Sequence, residues 1–344
     1  MSRLITAGFE TGSIQELNGA SQSATASTTY ARTGTYSLAL NCTTLGTADY
    51  LGHVFDADET ELYWRIAVLL PADAMYDHEL LVLNDSNGDE QITLWFDGDT
   101  QGLQLRQSTD VRATGTAVLR AGIWYVLQGH VTIDDSGAYE VKVNNVTDID
   151  YSGDTQATAV AGARSFRIQA GNSSEGAPSI YIDDIAVNNA DGSYQNTWIG
   201  LGGIYLLKPD AEGTTQDWTP SAGTVHWSTV DDTPANTTDW VQSDVSGSEY
   251  ELFNIESAPE YVTSIDTVNV IYQVAVVESG DQAIEDVVRQ GTVNYPGGGT
   301  VTVVSIAPAW VLYQGTTHYV QPNGAGAWGT VEIESLEIGV ITGA

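Results

Sequence analysis

The chain has 344 residues, of which 45 are Asp or Glu and 11 are Lys or Arg, so its formal net charge at pH 7 is −34. A surface of this charge repels phosphate backbones and anionic lipid, which argues against nucleic acid as a partner and against membrane insertion. Hydrophobic residues still make up 42% of the sequence, with nine Trp and seventeen Tyr. That content supplies packed cores and excludes an acidic disordered chain.

The single cysteine and the first residues of the chain further limit the class of protein. Cys42 is the only cysteine, so the chain has no intrachain disulfide and no thiol-based zinc cluster. Residues 1–6 lead into a polar Gly/Thr/Ser stretch, and no later segment approaches about 18 uninterrupted apolar residues. We therefore expect neither a signal peptide nor a membrane-spanning helix.

The first region of the chain reads as many short strands. Alternating or β-branched runs are separated by turn sequences such as Asn87-Gly88-Asp89 and Asp135-Ser136-Gly137. The predicted strands lie at 36–40, 62–70, 79–83, 92–96, 103–105, 124–133, 139–143, 165–168 and 180–187. Regular short strands predict an all-β sandwich over residues 1–195, with few and short helices.

The rest of the chain changes character twice. Residues 196–255 are rich in Thr, Ser, Asp and Trp and poor in periodic pattern, so we predict linking loops fixed by aromatic side chains. Strand patterns return at 267–277, 287–295, 300–305, 319–320 and 329–340. The sequence therefore predicts a second, smaller β-sandwich over residues 256–344.

Five short motifs carry a resemblance to a known family. They are Gly8-Phe9-Glu10, Thr33-Gly34-Thr35-Tyr36-Ser37-Leu38, Asp85-Ser86-Asn87-Gly88, Trp124-Tyr125 and Tyr181-Ile182-Asp183-Asp184-Ile185. In this order they resemble the concanavalin A-like lectin and glucanase jelly rolls, as found in laminin G-like domains, over about 190 residues. The resemblance implies an N-terminal jelly-roll sandwich with a carbohydrate-related role.

Two further resemblances concern the source of the chain. Its scarce Lys and abundant carboxylate resemble the surfaces of haloarchaeal proteins, which work in concentrated salt. The continuation through Trp198-Ile199-Gly200, Leu207-Lys208-Pro209 and Trp218-Thr219-Pro220 to Glu337-Ile338-Gly339-Val340 is similar to two-domain structural proteins of tailed viruses. Together they imply a virion component of a halophilic host, made in the host cytoplasm and exposed on the particle.

One carboxylate pattern invites an enzymatic interpretation. Glu332-Ile333-Glu334-Ser335-Leu336-Glu337 is similar to the strand that supplies nucleophile and acid in jelly-roll glucanases. It lies outside the lectin-like region, and a final strand with Glu332 and Glu334 outward and Val331, Ile333 and Leu336 inward is the preferred interpretation. No G-x-S-x-G or H-E-x-x-H motif is present. We predict no catalytic residue.

Two acidic segments are candidate calcium ligands. Asp85, Asn87 and Asp89 have the alternate oxygen spacing of a calcium loop, although a hairpin turn through Asn87-Gly88 explains the same residues. Asp183 and Asp184, placed at the end of a predicted strand, are the second candidate, and one of them either caps a turn or binds a cation. No other cofactor is expected.

Tryptophans are candidates for sugar stacking or for intersubunit contacts. Trp64, Trp95 and Trp124 lie on predicted strands, where core packing is the preferred interpretation. Trp218, Trp227 and Trp240 lie in predicted loops and favour a contact between subunits.

Two functional hypotheses follow. The first is a non-enzymatic display protein on the outside of a tailed virus, as capsid decoration, turret or tail fibre. It would form a homo-oligomer, contact other virion proteins and bind host surface glycans in addition. The alternative is a jelly-roll glycoside hydrolase or a secreted carbohydrate-binding protein.

Overall fold

The computed structural model describes residues 3–40, 49–71, 77–170, 179–245, 247–276, 282–298, 301–303 and 310–343. Cys42 lies outside the described residues. The chain divides into two compact units, Met1–Tyr205 and Leu206–Ala344. Both consist of antiparallel strands, so the predicted all-β class is confirmed.

Among its described residues, the N-terminal unit contains fifteen strands and a 3₁₀ turn at Ile14–Glu16. The strands are β1 (Arg3–Ala7), β2 (Ser21–Gln22), β3 (Ala24–Ser27), β4 (Ser37–Leu40), β5 (Asp49–Glu59), β6 (Glu61–Leu69), β7 (His78–Asn84), β8 (Glu90–Asp97), β9 (Gly102–Gln107), β10 (Asp110–Thr114), β11 (Trp124–Thr132), β12 (Gly137–Val143), β13 (Val146–Gly153), β14 (Ala163–Ala170) and β15 (Ile180–Asn189).

These strands form two sheets. One has eight strands in the order β13-β12-β11-β6-β15-β4-β3, with β1 pairing β15, and the other has seven in the order β10-β9-β8-β7-β14-β5-β2. Their facing side chains form one buried core, to which Trp64, Phe96 and Phe166 contribute from the two sheets. Trp64 is 1% exposed and donates its indole N–H to the Tyr139 hydroxyl at 3.0 Å. The predicted core role of Trp64 is thus confirmed.

The C-terminal unit contains ten strands, a 3₁₀ turn at Trp227–Thr229 and one helical turn, α1 (Thr330–Glu334), among its described residues. The strands are β16 (Pro209–Gln216), β17 (Thr219–Pro220), β18 (Val241–Gln242), β19 (Tyr250–Ile255), β20 (Val268–Val274), β21 (Gln282–Gln290), β22 (Val293–Pro296), β23 (Val301–Val303), β24 (Val311–His318) and β25 (Leu336–Thr342).

Six of these strands make the main sheet of this unit, in the order β16-β19-β25-β21-β22 with β23 also pairing β21. The pairs β17-β18 and β20-β24 form two small sheets. Val270 of β20 packs with Val288 of β21 and with Trp328, Ile333 and Leu336. The β20-β24 pair and the main sheet therefore share a small core.

The boundaries differ from the predicted ones at residues 206–255. We expected linking loops there, but β16 and β19 pair with each other and β19 pairs with β25 inside the C-terminal sheet. The predicted run 287–295 is two strands, because Gly291 has a φ of 62° and turns the chain into a hairpin.

Candidate functional site

The outer face of the eight-stranded sheet is covered by the chain segment that follows β15. Trp198 packs edge-on against Tyr63 and His130, whose rings stack with centroids 4.1 Å apart. The Lys142 ammonium lies 3.5 Å from the Trp198 ring centroid, and the amide of Gly200 donates to the Gln128 side chain at 2.8 Å. Tyr63, His130 and Trp198 thus form one aromatic cluster on the outer face of this sheet.

The outer face of the seven-stranded sheet carries a different set of side chains. On β9, Leu103 and Leu105 are buried in the core, so Gln104 and Arg106 point to the opposite face. On β8, Leu94 and Phe96 are buried, and the half-buried Trp95 between them points outward. Alternation along the strands thus places polar and aromatic groups on the outer face of this sheet.

Strand register aligns these side chains in two rows across the sheet. In one row Arg167 of β14 pairs with Val82 of β7, Val82 pairs with Thr93 of β8, and Thr93 pairs with Arg106 of β9. In the adjacent row Glu79 pairs with Trp95, and Trp95 pairs with Gln104. We call the outward side chains of Tyr50, Glu79, Thr93, Trp95, Gln104, Arg106, Arg167 and Gln169 the sheet-face site.

Direct contacts fix the Trp95 end of the sheet-face site. The Arg106 guanidinium carbon lies 4.1 Å from the Trp95 ring centroid, a cation–π distance. Arg106 Nε donates to Gln104 Oε1 at 2.9 Å, and Gln104 Nε2 donates to Asp97 Oδ2 at 2.7 Å. Trp95, Gln104 and Arg106 are therefore held in defined positions by contacts within the chain.

The other end of the sheet-face site is organised around Glu79. Arg167 Nη2 lies 3.9 Å from Glu79 Oε2, and the Gln169 amide donates to the same oxygen. Burial, followed by the charge of Glu90, raises the pKa of Glu79, while Arg167 and Gln169 oppose that rise. The Tyr50 ring lies 5.6 Å from the Arg167 guanidinium carbon.

Three donors of the sheet-face site lack an acceptor. Thr93 Oγ1, Trp95 Nε1 and Arg167 Nε are buried atoms without a hydrogen-bond partner among the described residues. Unsatisfied buried donors are uncommon in folded proteins, and a bound ligand or water is one way of satisfying them.

The first predicted calcium segment forms a hairpin turn. Asp85 is 2% exposed, and its Oδ1 accepts the backbone N–H groups of Asn87 at 2.8 Å and Asp89 at 3.0 Å. Its Oδ2 accepts the hydroxyl of Thr158 at 2.8 Å. Asn87 and Asp89 are exposed. Both oxygens of Asp85 are thus engaged by protein donors, as in an Asx turn.

The second predicted calcium segment lies within β15, not at a strand end. The pairing with β6 shifts between Asp183 and Ala186, and Asp184 has a φ of 52°, which defines a β-bulge. Both carboxylates are fully buried. Asp183 accepts three backbone N–H groups, from Arg32, Thr33 and Asp184.

Asp184 is held by a cation from the chain itself. Its Oδ2 contacts Arg32 Nη1 at 2.5 Å, and its Oδ1 accepts the Thr33 hydroxyl at 2.7 Å and the Ile204 amide at 2.6 Å. The position that a metal ion would take beside Asp184 Oδ2 is occupied by a guanidinium. Among the described ranges, no group of three or more His, Cys, Asp and Glu side chains is arranged to hold a metal ion.

Glu10 and Glu16, which sequence reasoning did not select, lie near this pair. Burial raises the pKa of Glu10 to about 7, with Glu16 and Asp184 adding to the rise, although the amides of Thr35 and Tyr36 donate to it. Glu16 accepts three backbone amides and the Thr11 hydroxyl. The Gly8-Phe9-Glu10 motif was the available signal.

The prediction that Glu332, Glu334 and Glu337 lie on one strand is wrong for Glu332 and Glu334. Thr330–Glu334 is the helical turn α1, and Val331 is 70% exposed, whereas Ile333 and Leu336 are buried as expected. Glu337 accepts the amide and hydroxyl of Thr214 and lies 3.8 Å from Arg289 Nε. A helical turn does not alternate side chains between two faces, so the glucanase-like spacing is lost.

The remaining predicted tryptophans have mixed environments. Trp95 and Trp124 are half-buried, so neither is a core residue like Trp64. Trp218 donates its backbone N–H to Glu251 at 3.0 Å, Trp227 begins the 3₁₀ turn, and the Trp240 ring lies 6.2 Å from that of Trp310.

Among the described helices none is long and apolar enough to cross a membrane.

Comparison with known proteins yields structural likenesses alone. No protein-family model matches the chain, and no curated protein matches it. The chain is similar to the endo-β-1,4-glucuronan lyase of the fungus Trichoderma reesei, at 15% identity and a TM-score of 0.41 over 50% of this chain and 92% of that one. It is also similar to the cellulose-induced protein Cip1, at 16% and 0.43 over 58% and 100% of the two chains.

The alginate lyase Aly36B is a third similar structure, at 11% identity and a TM-score of 0.37 over 54% of this chain and 96% of that one. Identities and TM-scores this low carry no information about what this chain binds. Its function has to be argued from the residues of the sheet-face site.

Proposed function

We propose that the protein binds glycans through the sheet-face site. The observation that carries the proposal is the half-buried Trp95, placed against Arg106 on the outer face of the seven-stranded sheet. Sugar rings present apolar C–H faces and a ring of hydroxyls, so they are bound by aromatic surfaces flanked by planar polar groups. Gln104 and Gln169 supply such groups beside Trp95 and Glu79.

We propose binding without catalysis because of the carboxylates near the site, Glu79 and Asp97. Glycoside hydrolysis uses two carboxyl groups, one protonated and one free to act as nucleophile or base. Glu79 has the raised pKa of a general acid, but Asp97 accepts bonds from the amides of Asp99 and Thr100 and from the Gln104 side chain. The raised pKa of Glu79 also favours the alternative, a glycoside hydrolase, and this alternative is tested by the Glu79→Gln variant below.

We further propose that this glycan-binding unit is displayed on the outside of a tailed virus of a halophilic host, as capsid decoration, turret or tail fibre. The support is the net charge of −34 and the similarity of the motifs between 189 and 340 to viral two-domain proteins. Other virion proteins and further copies of the chain would be its partners.

The glycan proposal is tested with Trp95→Ala against a panel of polysaccharides, with Trp124→Ala as the matched control on the other sheet. We expect Trp95→Ala to weaken glycan binding by about tenfold or more, and Trp124→Ala to bind as the wild type does. Both variants must keep the wild-type circular dichroism spectrum. Equal binding by Trp95→Ala and the wild type, or binding of no glycan, would overturn the proposal.

Two further measurements separate the alternatives. Release of reducing ends or unsaturated products from a bound glycan, abolished by Glu79→Gln, would establish an enzyme. Mass spectrometry of purified particles from the source culture would test display. Hundreds of copies per particle indicate capsid decoration, a few to dozens indicate a vertex or tail role, and absence from particles contradicts the viral proposal.

A further inference from the structure

We infer that the sheet-face site selects an acidic polysaccharide, one that carries carboxylate or sulfate groups, over a neutral one. The inference rests on the proposed glycan-binding function and adds the chemical class of the ligand. The net charge of −34 repels polyanions at long range, but that repulsion is screened within about 3 Å in molar salt, so the inference rests on the local placement of two arginines.

Arg106 is the first observation. Five other arginines have a carboxylate oxygen within 4.0 Å, namely Arg32, Arg112, Arg164, Arg167 and Arg289. Arg106 has no such ion pair among the described residues, although the chain has 45 acidic residues. Its contacts are the Trp95 ring and the Gln104 amide oxygen, which are both uncharged. The charge of Arg106 is therefore available to a ligand anion.

The spacing of the two arginines is the second observation. Arg106 and Arg167 lie on the same row, three strand spacings apart across β9, β8, β7 and β14. Neighbouring strands are about 4.8 Å apart, so the two Cα atoms are separated by about 14 Å. A single sugar does not span that distance, whereas successive acidic units of a polymer laid across the strands would reach both guanidinium groups.

The two residues that separate the arginines on this row are buried, so a polymer would lie over them and contact the guanidinium groups at either end. Val82 is fully buried, and Thr93 is 1% exposed with its hydroxyl unpaired among the described residues. The Nε atom of Arg167 is unpaired as well. A guanidinium group binds carboxylate and sulfate oxygens through paired N–H donors, and the Arg167 side chain is 32% exposed and that of Arg106 is half-buried, so the exposed parts of both groups can take a polymer anion.

Glu79 makes the two ends of this row unequal. Its carboxylate lies beside Arg167 and partly neutralises that arginine, whereas Arg106 has no such neighbour. We therefore expect Arg106 to contribute more to anion binding than Arg167 does. Glu79→Gln should strengthen the binding of an acidic polymer.

The test is isothermal titration of the full chain in about 1 M NaCl with polygalacturonate, dextran sulfate and neutral dextran. Arg106→Gln is compared with Arg120→Gln, which changes an exposed arginine outside the strands. We expect Arg106→Gln to bind the acidic polymers about tenfold more weakly, the effect of one lost charge-assisted hydrogen bond, and Arg120→Gln to match the wild type. Binding of polygalacturonate or dextran sulfate alone identifies the anionic group.

The outcomes separate this inference from the function on which it rests. Preference for neutral dextran, or equal binding by Arg106→Gln and Arg120→Gln, overturns the selection of acidic ligands while leaving a Trp95-dependent glycan site in place. If none of the three polymers binds, the inference is overturned, and the wider polysaccharide panel with Trp95→Ala decides the proposed function separately.

Discussion

The guanidinium of Arg32 contacts the carboxylate of Asp184 at 2.5 Å, and Asp184 is fully buried while 21% of the Arg32 side chain is exposed. The same guanidinium donates to the carbonyl groups of Leu201 at 2.7 Å and Gly202 at 3.0 Å. The backbone N–H of Arg32 donates to Asp183. One residue thus supplies both a charge and an amide to two adjacent buried carboxylates.

Replacement of Arg32 by Gln should destabilise the N-terminal unit strongly. The change removes the charge that balances the buried Asp184, and breaking a buried ion pair in this way costs about 3 kcal/mol of unfolding free energy. Urea unfolding measures the loss, with Arg120→Gln as the control at an exposed arginine. A loss no larger than that of Arg120→Gln would show that Asp184 does not depend on Arg32.

Stability should fall as the pH rises from 6.5 to 8.5. Burial, with neighbouring carboxylates adding to it, raises the pKa of Glu10 to about 7 and that of Asp183 to about 8. The folded chain therefore holds these protons more tightly than the unfolded chain, so their stabilising effect is complete below about pH 4 and is lost as the pH rises through 7 and 8.

Between pH 6.5 and 8.5 the opposite effect of His53, which lowers stability as the pH falls, does not interfere. Burial lowers the pKa of His53 to about 4, so its contribution is lost as the pH falls below about 6.5. Urea midpoints of the wild type at pH 6.5, 7.5 and 8.5 give the slope, and Glu10→Gln, which carries no ionisable group there, should flatten it. A flat wild-type profile would contradict the raised pKa values.

Replacement of Asp85 by Ala should destabilise the chain equally with and without calcium. It removes the acceptor of the Asn87 and Asp89 amides and of the Thr158 hydroxyl, which is worth about 1–3 kcal/mol for buried groups. Asp89→Ala, at an exposed side chain, should change little. The calcium prediction requires the contrary result, in which both changes lower the melting temperature only when calcium is present.

The fold should loosen when NaCl is reduced from molar concentrations to about 0.1 M. The Debye length is then about 10 Å instead of about 3 Å, so the acidic groups that give the chain its net charge of −34 repel one another more strongly. Melting temperatures between 0.1 and about 3 M NaCl measure the effect, and sucrose at matched osmolality controls for general solvent effects. Equal melting temperatures in low and high salt would remove the support for a halophilic source.

The sequence predicted the strands whose side chains alternate. β6, β8, β11 and β15 were located to within a few residues because each carries a run of apolar or β-branched residues. β16 was missed because its residues, Pro-Asp-Ala-Glu-Gly-Thr-Thr-Gln, carry no such pattern, and its pairing with β19 is irregular at two places. Its strand conformation comes from the neighbouring strand, which sequence alone does not show.

The sheet-face site was harder to predict than the fold. In the sequence Trp95 is a candidate for sugar stacking, but its position on a predicted strand favours core packing. The sequence alternates apolar and polar residues over Leu103-Gln104-Leu105-Arg106, yet the alignment of Arg106 with Thr93 and Arg167 depends on the register of four strands. β7, β8 and β9 follow one another along the chain, but β14 comes only after β10 to β13, so no local pattern shows that β14 pairs with β7 and brings Arg167 onto this row.

The bulge in β15 adds one residue to the strand and so changes which side chains face the core. Before it the even-numbered Ile180 and Ile182 face the core, and after it the odd-numbered Ile185 and Val187 do. Deletion of one residue at Asp184 would restore a regular strand with the same core residues, but it would leave Arg32 without its carboxylate. Among descendants of this chain, an insertion at position 184 and an arginine at position 32 should therefore be gained and lost together.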